Sequence, residues 1–369
     1  MSNKVRVIAF YLPQFHPTPE NDKWWGPGFT EWTNVGKAKP LFKGHYQPRV
    51  PRDLGYYDLR IPEVREAQAK LAREAGIEGF CYWHYWFGDG ERLLERPFNE
   101  VLESGKPDFP FCLGWANHSW WAKDWNADAV RNKSLLVEQR YPGLEDLRLH
   151  FNFLIKAFND PRYIKIKNQP IFYIFDPSTL PQLYIDHLHK WSKEAGFQDG
   201  LFLVANCTDK QPVETFLDKG YNAVSYQRLS GARYFYKNKF QKLLYRINDF
   251  CKKIILHHPP FSEDYKNAFM IDPDIDNQNC VIPSIVPNWD HTPRSGMRGT
   301  LFMNSTPALF KKQVELALKT ISNKEDELKI LFLKSWNEWA EGNYMEPDLK
   351  FGKGYITALK EALEDNKNL

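Results

Sequence analysis

The sequence predicts a single (β/α)8 barrel over residues 1–369. Three observations predict it. Eight short runs rich in apolar, β-branched and aromatic residues alternate with segments of helical periodicity. The runs are continuously apolar, as parallel strands are when right-handed helical crossovers cover both faces. Residues able to do chemistry gather directly after the runs, where such a barrel carries its active site. The length of 369 residues passes the usual single-core ceiling of roughly 250–300, as strand–helix barrels do. A doubly wound open sheet is the competing architecture. Its dinucleotide-binding form needs Gly-x-Gly-x-x-Gly after the first strand, and none occurs there.

Val5–Leu12 reads as the first strand. Pro62–Ala75 reads as its helix, with Val64, Ala67, Leu71 and Ala75 on one face. Gly79–Tyr85 and Arg92–Ser104 make the second pair, and Phe111–Asn117 and Leu144–Phe158 the third. Pro170–Phe175 pairs with Leu183–Ala195, and Leu201–Cys207 with a short helix near Val213–Lys219. Ala223–Gln227 is followed by a helical pattern over Phe235–Leu256. Val281–Val286 with Pro307–Ile321, and Lys329–Ser335 with Tyr355–Asp365, complete the eight pairs. Residues 229–278 read as a basic helical insertion within the one domain.

Composition narrows the function. Hydrophobic residues are 43% and charged residues 26%, which excludes a disordered or collagen-like chain. The formal charge of +3 is too near neutral for a dedicated nucleic-acid binder. Cys81, Cys112, Cys207, Cys251 and Cys280 are odd in number and show no Cys-x-x-Cys spacing. They read as free buried thiols in a reducing compartment. Met1–Lys4 leads straight into the first strand without a charged-then-apolar leader, and no stretch of about 18 apolar residues follows. A cytoplasmic protein that does not span a membrane is expected. His-x-x-x-His and His-Glu-x-x-His are both absent, so no metal and no other cofactor is expected.

The unusual figure is 15% aromatic, with 13 Trp. Twelve of them fall in or just after a strand, and only Trp191 sits on a predicted barrel helix. After the first strand come Tyr11, Gln14 and His16, then a long loop with Trp24, Trp25, Glu31 and Trp32. The second strand ends in Trp83, His84, Tyr85 and Trp86. Trp115, Asn117, His118, Trp120, Trp121, Asp124 and Trp125 follow the third. Trp289, Asp290, His291 and Arg294 follow the seventh. Sugar rings stack their C–H faces on aromatic rings, while their hydroxyls need carboxylates, amides and imidazoles. A rim of Trp among such groups suits an oligo- or polysaccharide. The plainer alternative is that these Trp pack long loops.

Ser335-Trp336-Asn337-Glu338-Trp339-Ala340-Glu341-Gly342-Asn343-Tyr344-Met345-Glu346-Pro347 is the most informative segment. Glycosyl transfer to water needs two carboxyl groups, and Glu338 and Glu341 stand three residues apart after a buried strand. Trp336 and Trp339 would lower the local dielectric and lift one of them toward the acid role. The competing reading is a helix N-terminal turn, where acids are favoured anyway. Asn337 suits a sugar hydroxyl, and Tyr344 and Glu346 extend the same rim. Glu346 is either a further acid of the cleft or part of a turn.

The chain resembles the WbsX-type proteins, also described as glycoside hydrolase family 99-like, over nearly its whole length. The resemblance rests on Phe10-Tyr-Leu-Pro-Gln-Phe-His16, Trp24-Trp25 with Gly28-Phe-Thr-Glu-Trp-Thr33, and Gly79-Phe-Cys-Tyr-Trp-His-Tyr-Trp86. It rests equally on Trp115-Ala-Asn117, Trp289-Asp290 with Thr292-Pro-Arg294, and Trp336-Asn-Glu-Trp-Ala-Glu-Gly342. It implies a (β/α)8 barrel acting on α-mannoside-like linkages, retaining and metal-free. Glu338 is implied to take the proton of the sugar 2-hydroxyl, which attacks its own anomeric carbon to give an anhydro-sugar. Glu341 is implied to be the acid and then the base. The family pattern has Glu-Asn-Trp after the position of Asn117, where this chain has His118-Ser119-Trp120. That departure implies altered specificity or a lost role.

Three function classes follow. The leading expectation is a glycoside hydrolase for surface polysaccharides, the second a glycosyltransferase of O-antigen or capsule assembly, the third an idle glycan-binding module. The sites expected to bind substrate are Tyr11, His16, Trp32, His84, Tyr85, Asn117, His118, Trp120, Trp289, Asp290, Arg294, Trp336, Asn337, Tyr344 and Glu346. His84 has the alternative of a satisfied core histidine, and Asp290 with Arg294 reads as either a site ion pair or a loop brace. The segment Arg233–His258 carries seven Lys or Arg against Asp249, with apolar residues at helical spacing. It reads as a barrel helix with a basic outer face, or as a peripheral contact with a membrane surface or lipid-linked glycan.

Overall fold

The structure is a computed structural model describing residues 5–122, 134–207, 211–229, 239–255, 259, 261–268 and 270–367. Eight parallel strands form the barrel: β1 (Arg6–Tyr11), β2 (Gly79–Trp86), β3 (Phe111–Trp115), β4 (Gln169–Ile174), β5 (Phe202–Cys207), β6 (Ala223–Tyr226), β7 (Ser284–Ile285) and β8 (Ile330–Leu333). Hydrogen-bonded pairing runs β6-β5-β4-β3-β2-β1-β8-β7. The remaining gap is bridged where Val224 pairs with Val281, with Val224 N donating to Cys280 O and Ile282 N donating to Val224 O, both at 2.8 Å. Register is set along the apolar runs, as in Phe10 opposite Cys81 and Ile8 opposite Phe332.

The barrel interior is filled rather than hollow. Phe10 stacks on Trp83 at 4.7 Å and lies against Tyr173 and Phe332 at 4.9 and 5.1 Å. Gly114 makes room for this plug, because a Cβ there would sit 3.1 Å from both Cys81 Sγ and the Trp83 ring. Helices Pro62–Glu74, Arg96–Ser104, Leu144–Phe158, Gln182–Glu194, Pro307–Ile321 and Gly354–Lys367 accompany the strands. Their buried stripes, such as Leu147, Phe151, Leu154 and Phe158, join the strands in one hydrophobic core. A small second cluster, Tyr265, Met270, Val286, Trp289 and Phe302, lies against the loops after β7.

Three elements differ from the sequence expectation. Arg92–Leu93 pairs antiparallel with the end of β2, so the helix begins only at Arg96, with Pro97 in its first turn. The run Val281–Val286 shrinks to the two residues of β7. Pro283 has no N–H to give the ladder and only accepts, from Phe332 N at 3.0 Å. In the Phe235–Leu256 pattern, the described helix is Lys239–Ile255; residues 230–238 and 256–258 lie outside the described residues, as do Asp124 and Trp125. After that helix, Ser262–Asp264 pairs in parallel with Leu301–Met303 outside the barrel. Among the described residues, no helix is long and apolar enough to cross a membrane.

Candidate active site

Side chains from the C-terminal ends of the strands enclose a cavity of about 420 Å³. Leu12, Trp83 and Tyr85 rise from β1 and β2. His118, Trp120 and Phe175 form one wall, and Trp289, His291 and Arg294 the opposite one. Lys334, Glu338 and Glu341 come from the end of β8 and its loop. The mixture of flat apolar walls and charged groups suits a ligand with C–H faces and hydroxyl edges.

Arg294 organises the charges. Its Nη1 donates to Glu341 Oε1 at 2.6 Å, and its Nη2 to Glu31 Oε2 at 2.8 Å and to Glu338 Oε2 at 3.4 Å. Glu31 is fully buried on the short helix Glu31–Lys37, which Thr30 caps. Burial lifts Glu31 above its ordinary value against the pull of Arg294. Burial also lifts Glu338, and repulsion from Glu341 adds to it, so this carboxyl is pushed up to about 8 despite Arg294 and Lys334. Burial acts on Glu341 too, but Arg294, Lys334 and His291 outweigh it and hold this carboxyl below its ordinary value. At neutral pH the pair therefore carries a proton on Glu338 and a charge on Glu341. Two carboxyls pushed apart in this way can serve one as an acid and one as a base.

The loop carrying this pair is held from below. Asp290 N donates to Glu341 O at 2.7 Å. Gly342 turns with φ of 53°, and a Cβ there would meet Asp290 Cβ at 2.6 Å. Trp339 Nε1 donates to Glu346 at 2.6 Å, and its ring stacks on Tyr344 at 3.8 Å.

The expected site residues fall into two groups. Tyr85, His118, Trp120, Trp289, Arg294, Glu338 and Glu341 line the cavity. The others stand behind it. Tyr11 points outward from β1 and its hydroxyl donates to Gln68 at 2.7 Å. His84 points outward from β2, stacks on Phe153 and meets His150 Nε2 at 2.8 Å; it is the satisfied core histidine of the alternative reading. His16 is buried away from the cavity, and burial drives it to about 4, so it is neutral. Trp32 packs on Phe15 and Trp339 and donates to Tyr57 O. Asn117 joins the ends of β3 and β4, through Asp176 N and O at 2.8 Å each. Asn337 does the same for β1 and β8, accepting from Leu12 N at 2.7 Å and donating to Leu12 O at 3.0 Å. Trp336 is fully buried against Phe80. Tyr344 donates to Asp348 at 2.7 Å. Glu346 accepts from Tyr57, Gln68 and Trp339, and burial lifts it to about 7.

Asp290 and Arg294 do not pair with each other as the sequence suggests. Asp290 accepts from Gln47 and Thr292, and its Oδ2 lies 2.8 Å from His45 Nε2. It is the loop brace, while Arg294 serves the glutamates. Lys334 and Gln227 are among the cavity groups that stand outside the sequence expectation. The signal for Lys334 is its place two residues after Phe332, on the inward side of a strand otherwise apolar.

A family profile described as Glycosyltransferase WbsX matches residues 7–359. The chain belongs to this family. The protein WxcX of Xanthomonas campestris pv. campestris is 32% identical over 365 residues, which are 97% of this chain and 49% of that protein. The chain thus spans about half the length of the curated relatives it matches. Among solved structures, one described as a glycoside hydrolase-like protein superposes with a TM-score of 0.61 at 16% identity, covering 98% of this chain and 94% of that one. The GH99 endo-alpha-mannosidase of Bacteroides thetaiotaomicron gives 0.58 at 14% identity, covering 98% of each chain. At these identities the likeness is one of fold.

Two further features bear on the chemistry open to this WbsX family member. His118 lines the cavity and packs on Phe175 at 4.7 Å. Burial pushes it down to about 4, so a neutral imidazole stands where the resemblance implies an acid. Asp272-Pro273-Asp274-Ile275-Asp276 has the Asp-x-Asp spacing associated with metal-bound sugar nucleotides. Two of its three side chains are committed otherwise: Asp272 caps the turn through Asp274 N, and Asp276 is buried in a two-bond pair with Arg228. None of the three lines the cavity.

Proposed function

We propose that this chain is a glycan-cleaving enzyme that acts on α-linked, mannoside-like units of surface polysaccharides through Glu338 and Glu341. The observation that carries the reading is the glutamate pair of opposite charge preference under an aromatic-walled cavity at the C-terminal end of the barrel. The naming of a fold relative as an endo-alpha-mannosidase supports the substrate class.

In the proposed reaction one glutamate accepts the proton of the sugar 2-hydroxyl as O2 bonds to C1. The bond from C1 to the leaving oxygen breaks, and that oxygen takes the proton of the other glutamate. Water then adds to C1 as the C1–O2 bond breaks; the glutamate that gave up its proton takes one from water, and O2 regains its proton from the other, returning both carboxyls to their starting states. The cycle needs one proton between two carboxyls, which is the resting state of this pair. Trp83, Trp120 and Trp289 supply flat faces for the ring, and Lys334 and Arg294 offset charge that develops near the glutamates.

The second reading is a glycosyltransferase, favoured by the family's description. The test is turnover of α-mannan and of capsular or O-antigen oligosaccharides by the wild type, Glu338→Gln and Glu341→Gln. Cleavage lost in both variants is the expected result. Absence of cleavage together with stabilisation by a nucleotide sugar would favour the transferase. Unchanged glycan binding by all three proteins, without turnover, would favour a binding module.

A further inference from the structure

The helix Lys239–Ile255 shows a face that a barrel helix normally buries. Phe240, Leu243, Leu244, Ile247, Phe250, Ile254 and Ile255 are all at least half exposed, reaching 70% at Ile255. At about 100° per residue these positions fall within an arc of about 140°, so they form one stripe rather than scattered contacts. The outer helices of the barrel turn such a stripe inward, as Leu144–Phe158 does.

We propose that this helix seats the active-site end of the barrel on an anionic lipid surface. The occupant is identified by charge. The same 17 residues carry Lys239, Lys242, Arg246, Lys252 and Lys253 against the single acid Asp249. An apolar stripe on a strongly basic helix is the pattern of segments that lie in the headgroup layer. A second copy of this chain would fit less well, because two helices of so basic a sequence repel each other. The helix lies flat rather than crossing: among the described residues none is long and apolar enough to span.

Its position ties the surface to the cavity. The helix follows β6, whose outgoing residues Gln227 and Leu229 line the cavity. Behind it, Lys252 Nζ donates to Ser262 O at 2.8 Å. Ser262–Asp264 pairs with Leu301–Met303, and Phe302 N donates to Trp289 O at 2.8 Å. Trp289 is a cavity wall, so a docked helix holds the cavity mouth close to the headgroups. The inference stands whichever reaction the cavity performs.

The test is co-flotation of the full chain with vesicles of phosphatidylcholine alone or mixed with phosphatidylglycerol, at low and high salt. The expected result is flotation with the phosphatidylglycerol vesicles only, weakened by salt. Arg246→Glu should weaken it by about fivefold or more. Ile247→Asp with Ile254→Asp should weaken it by about tenfold per side chain. Both isoleucines are about half exposed, so unchanged melting of the double variant shows that lost flotation is not unfolding. No flotation with phosphatidylglycerol at low salt overturns the proposal. So does equal flotation with both vesicle types, flotation unchanged in the double variant, or a wild-type dimer that the double variant loses.

Discussion

Glu338→Gln is expected to stabilise the protein at alkaline pH and to leave its stability nearly unchanged near pH 5. The native carboxyl titrates at about 8, whereas in the unfolded chain it titrates at its ordinary value of 4.5. Between these values the folded state holds a proton that the unfolded state has released. Stability must therefore fall as pH rises through this window, and the loss is complete above the native value. At about 1.36 kcal/mol per unit the whole displacement approaches about 5 kcal/mol. Gln keeps the shape and removes the titration. A chain of 369 residues melts with roughly 2 cal/mol/K of entropy per residue, so the variant should gain about 6 °C at high pH.

Calorimetric melting of wild type and variant across the window gives the difference directly. Glu346, lifted to about 7, titrates in the same range in both proteins and cancels. Glu341 acts in the opposite sense. Its lowered value adds stability that is present above its ordinary range and lost as pH falls through the native value, below the window. Infrared spectroscopy supplies an independent readout, a protonated-carboxyl band that titrates near about 8 in the wild type and is missing from Glu338→Gln. A flat difference across the window, or a variant less stable at high pH, would refute the proton placement.

Arg294→Met leaves Glu31, Glu338 and Glu341 without their shared cation, and should cost about 3–5 kcal/mol in denaturant unfolding at neutral pH. The loss should shrink in acid as the carboxyls protonate. Trp120→Ala should weaken glycan binding about tenfold by calorimetry, because its ring is a cavity wall. His84→Phe removes the partner of His150 and should cost about 1–3 kcal/mol of stability with glycan affinity unchanged. A chelator should leave turnover unchanged, since a guanidinium occupies the centre of the three carboxylates where a cation would otherwise sit.

The strands were legible because each is a short apolar run, and the runs failed only where proline interrupts pairing, as Pro283 does beside β7. The site was legible in its position but only partly in its membership. Chemistry concentrates at the strand ends, yet alternate residues face opposite ways, and a strand buried on both faces carries no mark of which side is inward. Trp83 and Tyr85 enter the cavity while His84 between them faces a helix. The same alternation sends Tyr11 outward and Leu12 inward. Most of the rim Trp turn out to pack against the rest of the protein, as Trp32, Trp115, Trp336 and Trp339 do, so the plainer explanation covers the majority, while Trp83, Trp120 and Trp289 line the cavity. Asp290 and Arg294 were separable only in three dimensions, because Asp290, just before the short helix Thr292–Ser295, faces His45, while Arg294 within it faces the glutamates.

The roles implied for the two glutamates and the resting charges run in opposite directions. The resemblance makes Glu338 the base and Glu341 the acid, yet the substrate-free site keeps the proton on Glu338. A bound sugar can reverse this by acting on Arg294, because its Nη1, bonded at 2.6 Å, leads Lys334 and His291 in holding Glu341 charged. A hydroxyl inserted there would loosen Glu341 and leave Arg294 nearer Glu338, drawing one proton across the pair. If instead the resting charges persist into the reaction, Glu338 protonates the leaving oxygen. Substrates with activated aryl leaving groups decide between these, because they no longer need the acid. Activity recovered by Glu341→Gln but not by Glu338→Gln means that substrate binding moves the proton. The opposite pattern means that the site reacts from the charge state in which it rests.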